Sequence, residues 1–121
     1  MELEQKFYDS ALKLVPEDHE LLVFIADLKV MGKDKKGAIS SLDEALFHKP
    51  NYAIALFKRG ILKYEMGEYN YAIKDINDGF KESKDTNYTP EVYRTRAKAY
   101  FEVGNYKASL KDYDKVVERE P

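Results

Sequence analysis

The sequence contains neither cysteine nor tryptophan. Without thiols there is no disulfide, no thiolate nucleophile and no cysteine-bound metal. No apolar run approaches the roughly 18 residues that a membrane-spanning helix needs. The opening residues, MELEQKF, carry charge where a secretory leader needs an apolar stretch. The compartment stays open on these grounds, with the cytoplasm favoured. Neither sign of charge dominates: 20 lysines and arginines stand against 22 aspartates and glutamates. The net charge of -2 gives no global attraction for nucleic acid. Proline and glycine are few, at four and six, and most fall between apolar-periodic runs. No run alternates with the two-residue period of a strand, so the glycine-rich phosphate loops that follow strands are excluded. The two histidines, His19 and His48, lie 29 residues apart with no clustered ligands, which marks them as surface residues. No metal or other cofactor is expected.

What is present is apolar periodicity. The chain has 121 residues, one domain's worth, and 44% of them are hydrophobic, enough for a packed core. The organising stretch runs from Leu56 to Phe80. Leu56, Phe57, Gly60, Ile61 and Tyr64 recur at separations of three and four, the helical period. Gly60 lies inside that pattern, where glycine costs about 1 kcal/mol against alanine, so a close helix crossing is expected there. Gly67 then ends the helix as a C-cap. A second apolar face follows in Tyr69, Ala72, Ile73, Ile76 and Phe80. The unit predicts a helical hairpin with small residues at its crossing.

The unit repeats. Pro16 and Pro50 are 34 residues apart, as are Ala11 and Ala45, Ala45 and Gly79, Leu22 and Leu56, Ala26 and Gly60, and Ala38 and Ala72. On these residues the chain resembles the tetratricopeptide repeat family, whose pattern is a large residue, Leu-Gly and Tyr in a first helix, then Ala, Phe and Pro in and after a second. The corresponding residues are Leu22, Ile25-Ala26, Lys29, Ala38, Leu42 and Pro50 in one unit. They are Leu56, Arg59-Gly60, Lys63, Ala72, Ile76 and Lys84 in the next, and Tyr93, Arg96-Ala97, Tyr100, Ser109, Tyr113 and Pro121 in the last. Lys29 and Lys63 depart from tyrosine, Lys84 from proline and Ser109 from alanine. The resemblance implies an all-α solenoid, a right-handed superhelix of helix-turn-helix units. It divides the chain into a half repeat at 3–16 and full repeats at 18–51, 52–85 and 89–121, as expected of a segment of a longer protein.

Seven helices are expected, over 3–14, 18–31, 36–48, 52–66, 69–83, 90–103 and 106–119. Asn51 is a suitable N-cap, and so is Thr89 ahead of Pro90. The Lys33-to-Gly37 stretch reads as a turn one residue different from the others. Ala72 and Ser109 are 37 residues apart, so Lys84–Tyr88 is an inserted loop. Asp75 with Asp78, and Asp112 with Asp114, are paired carboxylates that read as water-facing on amphipathic helices. The Lys33, Lys35 and Lys36 cluster is too short for a nucleic-acid footprint. Nothing in these groups calls for an enzyme.

The resemblance implies a concave groove lined by first helices, and a non-catalytic scaffold that binds a peptide or partner domain there. The expected groove residues are Val23, Asp27, Val30, Ile54, Phe57, Ile61, Tyr64, Arg94, Lys98 and Phe101. Phe57 and Ile61 supply an apolar middle, and Arg94 and Lys98 a basic end suited to an acidic flank. Co-chaperone members of the family grip a C-terminal carboxylate with basic first-helix residues. The corresponding residues here are Val23 and Asp27, then Lys58, then Glu91 and Thr95, which argues against that mode. The alternative is self-assembly by stacking of repeats, with Leu110, Tyr113 and Val117 uncovered on the last helix.

Overall fold

The computed structural model describes residues 18–83 and 90–119, together with Lys6. The half repeat at 3–16, the Lys84–Tyr88 loop, the Thr89 cap and Pro121 lie outside the described residues. Every regular element described is an α-helix: α1 His19–Met31, α2 Lys35–His48, α3 Ala53–Glu65, α4 Tyr69–Glu82, α5 Pro90–Glu102 and α6 Tyr106–Arg119. Their ends agree with the sequence expectation to within one residue. One such difference bears on capping: α3 opens at Ala53, a residue later than a cap at Asn51 requires. The chain divides into two compact units, residues 1–55 and 56–121.

In the first unit α1 and α2 form a hairpin around Leu22, Ile25, Ala26, Ala38, Leu42 and Ala45, all nearly fully buried. These positions recur at three and four along each helix, so each helix offers one apolar stripe to the other. Asp18 caps α1 by accepting from the Leu21 amide at 3.0 Å, and Asp34 caps α2 by accepting from Gly37 at 2.9 Å. Lys29 Nζ donates to the buried Ser41 Oγ across the pair at 3.0 Å. His19 meets the Tyr52 ring edge-on at 4.8 Å.

In the second unit the crossing of α3 and α4 is made by absent side chains. A Cβ on Gly60 would stand 2.8 Å from Ile76 Cγ1 and 3.2 Å from the Ala72 carbonyl oxygen. A Cβ on Gly79 would stand 2.5 Å from Phe57 Cε1. The close approach inferred from Gly60 is therefore present. Phe80 carries α4 onto α5, its ring stacked on Tyr93 at 5.1 Å. Ser109 Oγ donates to the Ala97 carbonyl at 2.7 Å and ties α6 to α5, which is why serine serves where the family pattern has alanine.

The three turns inside the hairpins are alike, contrary to the expectation for residues 33–37. The Asp34 amide donates to the Lys29 carbonyl, Glu68 to Lys63 and Asn105 to Tyr100, each at 2.8 Å. The residue before each donor has positive φ: 65° at Lys33, and 83° at both Gly67 and Gly104. A side chain in that left-handed region costs about 1–2 kcal/mol, which glycine avoids at some cost in unfolded-state entropy. Lys33→Gly is expected to stabilise the first hairpin by about 0.5 kcal/mol. Thermal unfolding of the variant beside the wild type checks this, and an unchanged or lower midpoint would refute it.

Candidate functional site

Two buried carboxylates organise the interior of the second unit. Asp75 on α4 accepts from Arg59 Nε and Nη2, both at 2.8 Å, with Lys63 Nζ at 3.3 Å. Asp112 on α6 accepts from Arg96 Nε and Nη2, both at 2.7 Å. Arg96 Nη1 also donates to Asn77 Oδ1 at 2.8 Å, and its guanidinium lies over the Phe80 ring at 4.7 Å. The expectation that Asp75 and Asp112 face water is corrected here: each is buried, because an arginine 16 residues earlier forks onto it. Asp78 and Asp114, their sequence neighbours, do stand toward solvent, and Asp78 pairs with Lys74 at 2.8 Å. Burial works against the charge of Arg96, yet the Asp112 bonds and charge hold its pKa above the ordinary arginine value. Each Arg–Asp pair ties the two helices of its hairpin together, and both carboxylates are held by their arginines. Among the described residues no three His, Cys, Asp or Glu side chains form a metal site. No described helix is long and apolar enough to cross a membrane.

An open depression of about 420 Å³ lies between α3 and α5 of this unit. Its lining is Ile61, Tyr64 and Glu65 from α3, and Glu91, Arg94, Thr95 and Lys98 from α5. The helical period explains the set: residues three and four apart on each helix share a face, and the two faces oppose each other. Ile61 is the apolar floor and Tyr64 presents a phenol. Burial, the Glu102 charge and the neighbouring Tyr69 and Tyr113 raise the Tyr64 pKa above its ordinary value, at which the phenol is already protonated and able to donate at neutral pH. Lys98 is exposed and makes no ion pair among the described residues. The rim is mixed in charge, with Arg94 and Lys98 beside Glu65 and Glu91.

Of the expected groove residues, Ile61, Tyr64, Arg94 and Lys98 are brought together here. Phe57 is not: at 6% exposure it belongs to the core, beneath Gly79 and edge-on to Phe80 at 5.1 Å. Phe101 lies at the far end of α5 with its ring against Tyr106, at 5.4 Å, and outside the depression. In the first unit Val23 is also 6% exposed and forms part of the core, Asp27 is half-buried, and Val30 and Ile54 are exposed. Glu65 escaped the sequence argument. Its signal was its place one residue beyond Tyr64, at the last turn of the same helix.

No protein-family model and no curated protein matches the chain. Solved structures do. A crystal structure of MamA protein aligns over 96% of this chain and 62% of its own, with 22% identity and a TM-score of 0.80. The first TPR of Spaghetti (RPAP3), bound to the HSP90 peptide SRMEEVD, aligns over 85% of this chain and 79% of its own, with 18% identity and a TM-score of 0.75. YrrB, a TPR protein with an unusual peptide-binding site, aligns over 97% and 59%, with 18% identity and a TM-score of 0.78. The chain thus spans about three-fifths of the length of the MamA structure. At these identities the likeness shows the fold, that of tetratricopeptide repeats.

Proposed function

We propose that this tetratricopeptide-repeat chain is a non-catalytic protein-interaction module that holds a peptide segment in the depression between α3 and α5. The observation that carries this is the juxtaposition of an apolar residue, Ile61, with the Tyr64 phenol and an exposed Lys98. A cleft with an apolar base and few polar groups fixes orientation through those groups. The ligand is a segment with an apolar side chain for Ile61 and an acidic side chain for Lys98. Glu65 and Glu91 on the rim repel a ligand whose charge is acidic throughout. That difference separates the site from a grip on a carboxylate terminus, even though one structural neighbour is bound to the peptide SRMEEVD.

The test is selection from a displayed random-peptide library, followed by fluorescence anisotropy on the enriched peptides. Peptides combining an apolar and an acidic residue are expected to be enriched. Lys98→Glu is expected to weaken them about tenfold, roughly 1.4 kcal/mol, with the loss shrinking at high salt. No enrichment, or equal affinity for the folded variant, would overturn the assignment.

A further inference from the structure

Helix α6 has one face buried within the second unit and a second, apolar face that is largely exposed. Ser109, Asp112 and Val116 are buried against the rest of the hairpin. Tyr106, Leu110, Tyr113 and Val117 form a second stripe, with exposures of 64%, 64%, 37% and 64%. At 3.6 residues per turn these four fall within an arc of about 60°, spaced four, three and four, the repeat of a helix-pairing seam. None of them lines the depression between α3 and α5.

The charges along one flank of this stripe are sorted by position. Lys107 and Lys111 occupy the N-terminal half of α6, and Asp114 and Glu118 the C-terminal half, all exposed. This is the wrong order for an isolated helix. Lysine near a helix N-terminus opposes the macrodipole, as do acids near the C-terminus. Glu118 pairs with a solvent-exposed Lys115 at 3.7 Å. The same order is the right one for a neighbour running the opposite way. Antiparallel alignment sets Tyr106 and Leu110 against Val117 and Tyr113 of the second helix. It also sets Lys107 and Lys111 against Glu118 and Asp114, twice over by symmetry. Parallel two-fold alignment would put the two charged flanks on opposite sides of the seam, where they could not pair.

We infer that α6 is the interface of a two-fold dimer, in which a second copy of this chain packs its own α6 antiparallel along the Tyr106, Leu110, Tyr113 and Val117 stripe. The contact is self-complementary and closed, so association stops at two. A seam one helix long is small, at the low end of specific interfaces (below about 1,200 Å² in total), and its dimer forms at high protein concentration.

Sedimentation equilibrium on the 121-residue chain is expected to show a reversible monomer–dimer equilibrium, shifted at least tenfold toward monomer by Leu110→Glu. Two charge variants then identify the geometry. Lys107→Glu with Lys111→Glu makes the flank wholly acidic, and Asp114→Lys with Glu118→Lys makes it wholly basic. Each change suits the local helix dipole, so α6 is retained, which circular dichroism verifies. Each variant alone is expected to be monomeric where wild type dimerises, and an equimolar mixture to dimerise at least as well as wild type. A wild type that stays monomeric overturns the inference. So do variants that dimerise alone, a mixture that does not recover, or growth beyond the dimer.

Discussion

Asp112→Ala is expected to lower the stability of the chain by about 3–5 kcal/mol, the cost of removing one member of a buried ion pair. The asymmetry explains the size. Asp112 contributes its own bonds, and it also satisfies Arg96, whose side chain is 18% exposed and fixed between Asn77 and the Phe80 ring. Removing the carboxylate leaves a guanidinium that is short of partners and unable to reach bulk water without breaking the packing of α5 on α4. A domain of ordinary stability holds about 5–15 kcal/mol in all, so the variant is expected to be marginal. Replacing both partners, Arg96→Met with Asp112→Leu, is expected to cost much less than Asp112→Ala alone. No charge is then stranded and the volume stays filled. Urea unfolding followed by circular dichroism checks both. A double variant less stable than Asp112→Ala would show that the pair adds net energy rather than merely avoiding a penalty.

Ile76→Ala is the second large effect, at about 2–5 kcal/mol. Ile76 is wholly buried and fills the space that Gly60 leaves open on the facing helix. Truncation removes apolar area and leaves a cavity beside Gly60, where the facing helix has no side chain to fill it. Gly60→Ala fails for the opposite reason, because its new methyl would stand 2.8 Å from Ile76 Cγ1. Overpacking of that kind costs about 1–3 kcal/mol, more than the roughly 1 kcal/mol that alanine gains in helix propensity. Each substitution makes room for the other. The double variant is therefore expected to lose less than the sum of the two, by about 0.5–3 kcal/mol. The rescue is partial, because the Ala72 oxygen at 3.2 Å remains in place. Strict additivity in a denaturant double-mutant cycle would show that the two side chains do not share one space.

Periodicity and small residues carried the sequence-level account a long way. Apolar recurrence at three and four located the six described helices to within a residue. The 34-residue recurrence of Ala, Gly and Leu identifies the hairpin unit, and Gly60 marks the crossing. These features are local: they depend on which residues share a face of one helix, and the helical period settles that. The same logic grouped Ile61, Tyr64, Arg94 and Lys98, which line one depression between α3 and α5.

Tertiary structure decided what depends on a second helix. Phe57 and Ile61 sit four residues apart on one face, and periodicity alone treats them alike. Gly79 on α4 opens a slot that takes the Phe57 ring, so Phe57 became core and Ile61 stayed at the surface. Asp75 and Asp78 differ likewise by what lies opposite: Arg59 for one, water and Lys74 for the other. A carboxylate in sequence carries no record of an arginine 16 residues away. The exposed stripe on α6 belongs to the same class. The sequence by itself determined that Leu110, Tyr113 and Val117 share a helix face, because 3.6 residues make a turn. Only the packing of α6, through Ser109, Asp112 and Val116, decided that this face stays largely exposed, because a helix turned on its hairpin by those three side chains presents the other four to solvent, with Tyr106 resting against Phe101 at one end.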